Sequence, residues 1–241
     1  VFTVAEEGGL NGAKNIDPAK IRADYGYALD GSGAPGVITN MAPGQNHLRL
    51  VAHGKTAHAG LEPENGINTI MLVGKALAEM PQGRIDFETT CNVGLIKGGT
   101  ATNIVPDQVE VTVETRSRNE QKLAELTAKI VEVFSRSVEN NGGKAECNVT
   151  KKYDPFVLRE ESLVIETALK AAQSLGLATL VEGGGGGSDA NFFNCYGIPS
   201  AVLGTGMAKV HTKEEYLLEE HLYQTTEWTL ALIKEASRQI K

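Results

Sequence analysis

Val109-Glu110-Val111-Thr112-Val113-Glu114-Thr115 alternates apolar and polar side chains without a break, the period of a strand with one face on a core and the other in water. Just beyond it, Asn119 to Glu139 sets Leu123, Leu126, Ile130, Val131 and Phe134 on one helical face, and Lys144 to Lys151 returns as a strand. The same grammar runs upstream. His47 to Val51 reads as a strand, and Asn65 to Met80 as a helix with Ile67, Ile70, Met71, Val73, Leu77 and Met80 inward, ended by Pro81 and Gly83. Phe87 to Ile96 is a further strand, joined to the first by the turn-rich link Gly98 to Pro106. Residues 47 to about 152 thus read β-α-β-β-α-β, the ferredoxin-like split arrangement that stands as a small domain of its own.

On either side lie α/β pieces. Val1 to Ala5 reads as a buried strand, Gly8 to Ala13 opens a helix, and Tyr25 to Leu29 is a second strand. After the insert come a helix from Glu160 to Leu175, a strand from Ala178 to Val181, the glycine run Gly183 to Gly187, a strand from Ser200 to Leu203, and a closing helix from Leu218 to about Ile240. Each flank is too small to close a core alone, so the two are expected to form one α/β domain, residues 1–44 with 153–241, interrupted by an insert at 45–152. Because the chain opens directly on a strand, without methionine, this reading expects further residues before Val1.

Composition removes several classes of function. The 241 residues carry 23 Lys+Arg against 30 Asp+Glu, a net charge of −7, which argues against a nucleic-acid binder that needs clustered positive charge. No run approaches the roughly 18 apolar residues of a membrane span. Cys91, Cys147 and Cys195 form no C-x-x-C pair, and no secretory signal is visible, so a reducing cytoplasm is the expected compartment.

Glu6-Glu7 closes an apolar run, where two adjacent carboxylates are costly unless a positive or protonatable partner sits between them. One reading makes them a metal ligand and a base; the other, acids at a solvated loop start beside a helix N-terminus. Asp30, before Gly31-Ser32-Gly33, suits a ligand or a turn. His211 leaves a strand through a glycine loop and is either an imidazole ligand or merely exposed. His47 fits a strand position and His221 a surface turn of the last helix. The run Gly183 to Gly187 before Ser188-Asp189 lacks the G-K-[ST] ending of a phosphate loop, and is better explained by a backbone passing close to a ligand or strand. Gly98 to Asn103 is either an ordinary loop or one holding a peptide group. Arg116 either pairs with a structural acid or clamps a substrate carboxylate.

Taken together, Thr3-Val4-Ala5-Glu6-Glu7-Gly8-Gly9-Leu10-Asn11-Gly12-Ala13, Tyr27 to Gly31, Gly54-Lys55-Thr56-Ala57-His58-Ala59-Gly60, Gly98 to Pro106, Arg116-Ser117, Gly186 to Asn191 and Gly204 to His211 resemble the dinuclear zinc aminopeptidase and deacylase family of the peptidase T, aminoacylase and carboxypeptidase G type. The likeness runs through nearly the whole chain and is closest to the peptidase T-like, or tripeptidase, branch.

The resemblance implies hydrolysis of short peptides, with Glu6 as the general base and Glu7, Asp30 and His211 as metal ligands converging on one cationic centre. It implies two zinc ions per active site, cobalt or manganese being alternatives. It also implies that His58 reaches the partner subunit's active site to stabilise the oxyanion, that Asn103 and Arg116 hold the substrate, and that the insert is the lid and the dimerisation domain of a homodimer. The flanks then become an incomplete catalytic domain. The family also uses a histidine in an H-x-D motif and a bridging aspartate ahead of the Glu-Glu pair. None of the five histidines here is followed two positions later by Asp, and three ligands are too few for two bridged zinc ions, so the chain alone is expected to lack full activity. Two other readings stay open: an N-acyl or N-carbamoyl amino acid amidohydrolase, and a non-catalytic, degenerate dimerisation module.

Overall fold

In the computed structural model, which describes residues 1–239, the elements run α1 (Asn11–Lys14), β1 (Gly26–Ser32), β2 (Val37–Ala42), β3 (Gly44–His53), α2 (Thr69–Glu79), β4 (Gly83–Arg84), β5 (Thr89–Gly98), β6 (Gln108–Ser117), α3 (Glu120–Asn140), β7 (Lys144–Tyr153), β8 (Phe156–Val157), α4 (Leu163–Ser174), β9 (Leu180–Gly183), α5 (Asp189–Cys195), β10 (Ser200–Met207) and α6 (Glu219–Ser237). They pack as two units, Gly44–Tyr153 and, apart from it, Val1–Pro43 with the chain from Asp154 onward.

In the Gly44–Tyr153 unit, β3 lies between β6 and β7 and is antiparallel to both, while β5 flanks β6. The order β5-β6-β3-β7, with one helix between β3 and β5 and another between β6 and β7, is the ferredoxin-like arrangement that the sequence pattern predicts. Val109, Val111 and Val113 point from β6 into a core that α3 completes with Leu126, Ile130 and Phe134. Asn119 starts α3 by accepting a hydrogen bond from the Lys122 amide at 3.0 Å, a cap worth about 1 kcal/mol.

α2 is oriented differently from its expected face. Thr69, Leu72, Val73 and Ala76, spaced i, i+3, i+4 and i+7, are the buried positions. Ile70 and Met71, expected inward, are exposed, because the apolar arc of this helix is wider than the stripe one sheet can cover.

The other unit is built on a sheet ordered β1-β10-β2-β8, with β9 also paired to β2. β1 and β10 are parallel. α4 and α6 bury Val164, Ile165, Ala168, Trp228 and Leu232 against Ile38, Ala201 and Leu203, and the Trp228 indole N–H donates to the Ala168 carbonyl at 3.1 Å. α5 brings Ala190 into a smaller cluster with Ala42, Phe156 and Val202.

Several expectations need correction. Val1 to Ala5 is not a strand; Val1, Phe2 and Val4 are exposed. Among the described residues β1 pairs only with β10, so this apolar segment has no ladder in which to satisfy its backbone away from water. β1 itself runs past Leu29 to Ser32, with a break in register after Ala28, which puts Asp30 inside the strand. β2, β8 and α5 have no counterpart in the sequence reading. His221 sits in the first turn of α6, half-buried against Gly206, rather than in a surface turn. In the glycine run a close approach is required at Gly184, where a Cβ would come within 2.9 Å of Thr39, whereas Gly185 and Gly186 face open space. Ile240, at the expected end of the last helix, lies outside the described residues.

Candidate active site

Parallel strands finish at the same end, and loops leaving that end are where α/β sheets place their ligands. β1 and β10 bring Asp30 and the loop after Met207, which carries His211, to that end together. Gly31 allows the approach, since a Cβ there would stand 2.6 Å from the Leu203 carbonyl oxygen. The His211 loop is pinned by backbone pairing of Ala208 with Tyr216 and by the Glu215 carboxylate, which accepts from the His211 amide at 2.9 Å. His211 itself adopts a left-handed backbone, φ 64°, as do Lys209 and Ala5. Such conformations cost free energy outside glycine and gather where geometry is imposed by function.

Glu6 and Glu7 sit in a tight turn closed by the Gly9 and Leu10 amides on the Glu6 carbonyl, at 2.9 and 2.7 Å. The segment is anchored at both ends. The Thr3 hydroxyl donates to the Asp189 carboxylate at the start of α5, and the Tyr196 hydroxyl donates to the Ala13 and Lys14 carbonyls.

The side chains of this cluster are short of positive charge. Partial burial, then the carboxylates of Asp30, Glu7 and Asp189, push Glu6 up to about 7, with His211 opposing. Burial, then Asp189 and Glu7, raise Asp30 as well. No lysine or arginine contributes to either shift. The Glu7 carboxylate lies 3.7 Å from His211 Nδ1, and a cavity of about 630 Å³ opens beside Glu6, Asp30 and Asp189, with Tyr25, Tyr27 and Phe193 in its wall. Of the three expected ligands, Glu7 and His211 therefore stand together and Asp30 stands within electrostatic range of both. Among the described residues no three such donors close into a metal-holding group. Mutual repulsion of the carboxylates opposes that closure. By chemistry, carboxylates with one imidazole and no basic side chain fit a divalent cation.

Asp189 has no role in the sequence reading, yet one of its oxygens is buried without a hydrogen-bond partner among the described residues. The detectable signal was the capping box: the Ser188 hydroxyl accepts from the helix, and Asn191 Oδ1 accepts from the Ser188 amide at 3.0 Å.

The remaining expected residues belong to the Gly44–Tyr153 unit. His58 and Asn103 lie on two paired loops: the Ala59 amide donates to the Asn103 carbonyl at 3.0 Å, and the Val105 amide to Ala57 at 2.9 Å. The two side chains thus stand on one small ladder. Arg116 lies on the outer face of β6, where its Nε and Nη2 donate to the two Glu114 oxygens at 3.0 and 3.2 Å while Gln45 donates to Glu114 at 2.8 Å. Pairing with a structural acid, one of the two readings open from sequence, is therefore present, and Nη1 is left out of it.

Residues 41–141 match the model of the peptidase dimerisation domain, M20_dimer. That segment carries the dimerisation domain of M20 peptidases. As a whole the chain is peptidase T-like, on the following likenesses. It is 42% identical to the crystal structure of aminopeptidase PepT from Bacillus cereus, with a TM-score of 0.90 over 98% of this chain and 63% of that one. A tripeptidase from Staphylococcus aureus is 37% identical, with a TM-score of 0.94 over the same shares of 98% and 63%. The protein YqjE of Bacillus subtilis is 43% identical over 238 residues, 99% of this chain and 64% of the relative. The chain thus spans a little under two thirds of the proteins it resembles.

Proposed function

We propose that the protein serves metal-dependent hydrolysis of short peptides, in the manner of a tripeptide aminopeptidase. The observation that carries this reading is the acidic cluster at the carboxyl ends of β1 and β10, in which Glu6, Glu7, Asp30 and His211 lie within electrostatic range of one another and Glu7 stands 3.7 Å from His211. Glu7, Asp30 and His211 would hold metal. Two divalent cations, zinc in this reading with cobalt or manganese as alternatives, supply a water of lowered pKa and polarise the scissile carbonyl when bound. Glu6, pushed up to about 7, would serve as the general base, its carboxylate accepting a proton from the nucleophile and returning it to the leaving amine. His58, offered to the partner subunit, donates to the developing oxyanion, Asn103 holds the peptide group, and Arg116 presents its Nη1 edge to the terminal carboxylate. The H-x-D histidine and bridging aspartate implied by the family are not among residues 1–241, so full turnover requires those two groups from elsewhere.

Zinc titration by calorimetry tests the centre. Glu7→Gln and His211→Ala are each expected to weaken zinc binding at least tenfold, about 1.4 kcal/mol. Unchanged affinity in both variants would remove the centre, and strong tripeptide turnover by the 241 residues with zinc, cobalt or manganese would refute the need for outside ligands. The open arrangement of the donors favours, as second reading, a non-catalytic dimerisation module; absence of any zinc binding selects it.

The dimerisation domain supports a homodimer. We place its contact at β5, which pairs with β4 only at Thr90 and Cys91 and leaves Leu95 and Ile96 exposed, together with the exposed Ile70 and Met71 of α2. Free cysteines suit a reducing cytoplasm, and no helix among the described residues is long and apolar enough to cross a membrane.

A further inference from the structure

His58 begins a turn, His58-Ala59-Gly60-Leu61-Glu62, whose backbone folds over the residue's own ring. The Gly60 and Leu61 amides both donate to Nδ1, at 3.1 and 3.2 Å. The Leu61 amide is shared with the His58 carbonyl at 3.3 Å, and the Glu62 amide donates to that carbonyl at 3.1 Å, so the turn closes on both sides of the residue. Across the ladder, the pairing of Ala59 with Asn103 and of Ala57 with Val105 holds the turn from behind.

A main-chain N–H cannot accept a proton, so the ring nitrogen facing two of them must offer its lone pair. A neutral imidazole has one donor nitrogen and one acceptor, and the acceptor is thereby assigned. Among the described residues Nε2 has no hydrogen-bond partner, and the residue is exposed.

We propose that the Gly60 and Leu61 amides are positioning groups that set the tautomer of His58, making Nε2–H a standing donor for an anionic oxygen and denying the neutral ring a basic nitrogen on its open side. The inference rests on the reading of His58 as a substrate-facing residue. It divides the labour of that reading: the acidic cluster supplies the base, and His58 supplies only a hydrogen bond to oxygen, whether of a tetrahedral intermediate or of a carboxylate.

The test is long-range proton–nitrogen correlation of the 241-residue chain carrying 15N-histidine, at a pH where the ring is neutral. The expected His58 pattern has a pyrrole-type Nε2 and a pyridine-type Nδ1, with scalar coupling across the hydrogen bonds from the Gly60 and Leu61 amides. Gly60→Pro deletes one donor and is expected to move Nδ1 toward a tautomer mixture. Gly60→Ala keeps the amide, and its Cβ would meet the ring at an ordinary 3.7–3.8 Å, so it should match the parent. A proton on Nδ1 in the parent chain overturns the inference even if Gly60→Pro fails to fold, and so does a Gly60→Pro spectrum identical to the parent. The spectrum needs neither metal nor substrate, so it separates from the functional reading, which fails instead if His58→Ala leaves turnover of the complete enzyme untouched.

Discussion

Asp30 and His211 are 181 positions apart, and what joins them is the lack of a side chain at Gly31, which lets β1 lie against Leu203 and Gly204. Gly31→Ala would press a methyl group against that backbone and is expected to cost about 1–3 kcal/mol in urea denaturation. A loss below about 0.5 kcal/mol would show that the two strands part easily, and with them the cluster. His58 makes the opposite kind of contribution, being exposed and of little use to folding. His58→Ala is expected to leave zinc affinity unchanged and to lower turnover of the complete enzyme about 10²–10³-fold, the scale of one lost oxyanion donor. Steady-state kinetics beside a zinc titration checks both halves. At this scale residue types alone leave Glu6, Glu7, Asp30 and His211 each open to an ordinary structural reading, and only the resemblance of several stretches in register marks them as site candidates. Asp189 and Glu114 escape the sequence reading for a physical reason: the first matters through Thr3, 186 positions away, and the second through the side-chain geometry of Arg116, and neither contact has a period or a spacing.

Periodicity explains which elements were legible. β6 and α3 carry strict patterns of 2 and 3.6 because each has one wet face and one buried face. β2 escaped because its run Val37 to Ala42 is short and interrupted by the buried Asn40, whose side-chain NH2 donates to the Leu158 carbonyl at 3.0 Å. Val1 to Ala5 misled because apolar content does not supply a neighbouring strand. Ile70 and Met71 misled because a helical pattern cannot tell a face that meets a core from one that meets another chain. That second possibility is testable: Met71→Glu with Ile96→Lys is expected to convert a dimer to a monomer in light scattering without loss of helical signal. An unchanged mass places the contact elsewhere. The β4–β5 turn adds a dependence on pH. Lys122, in the first turn of α3, donates to Asp86 at 2.9 Å and Glu88 at 2.7 Å, and the hydrogen bonds from Lys122 and the Glu88 amide hold Asp86 down at about 2. With the folded value below the unfolded one of about 3.9, this stabilisation is complete above pH about 4 and disappears as pH falls through about 2. The stability gap between the parent and Lys122→Met should therefore close by pH 2; a gap of constant size would mean that the ion pair contributes nothing.

Each unit of the chain has its own large buried cluster, and the single tryptophan belongs to one of the two. Trp228 is fully buried among α4, α6 and the β1-β10-β2-β8 sheet, so its fluorescence reports the melting of that unit alone, whereas far-ultraviolet dichroism weighs both. Ile130 is fully buried in the other cluster, between α3 and the β5-β6-β3-β7 sheet, beside Val111 and Phe134. Ile130→Ala removes buried methylene groups and leaves a cavity, a change worth about 2–5 kcal/mol. If each unit closes its own core, as the proposed division into a catalytic domain and a lid requires, the dichroism transition should split or move to lower denaturant while the Trp228 transition keeps its midpoint. The reciprocal variant, Ile165→Ala, should shift the fluorescence midpoint and spare the residual dichroism. Coincident movement of both signals in both variants would make the chain one cooperative block and withdraw the two-domain proposal.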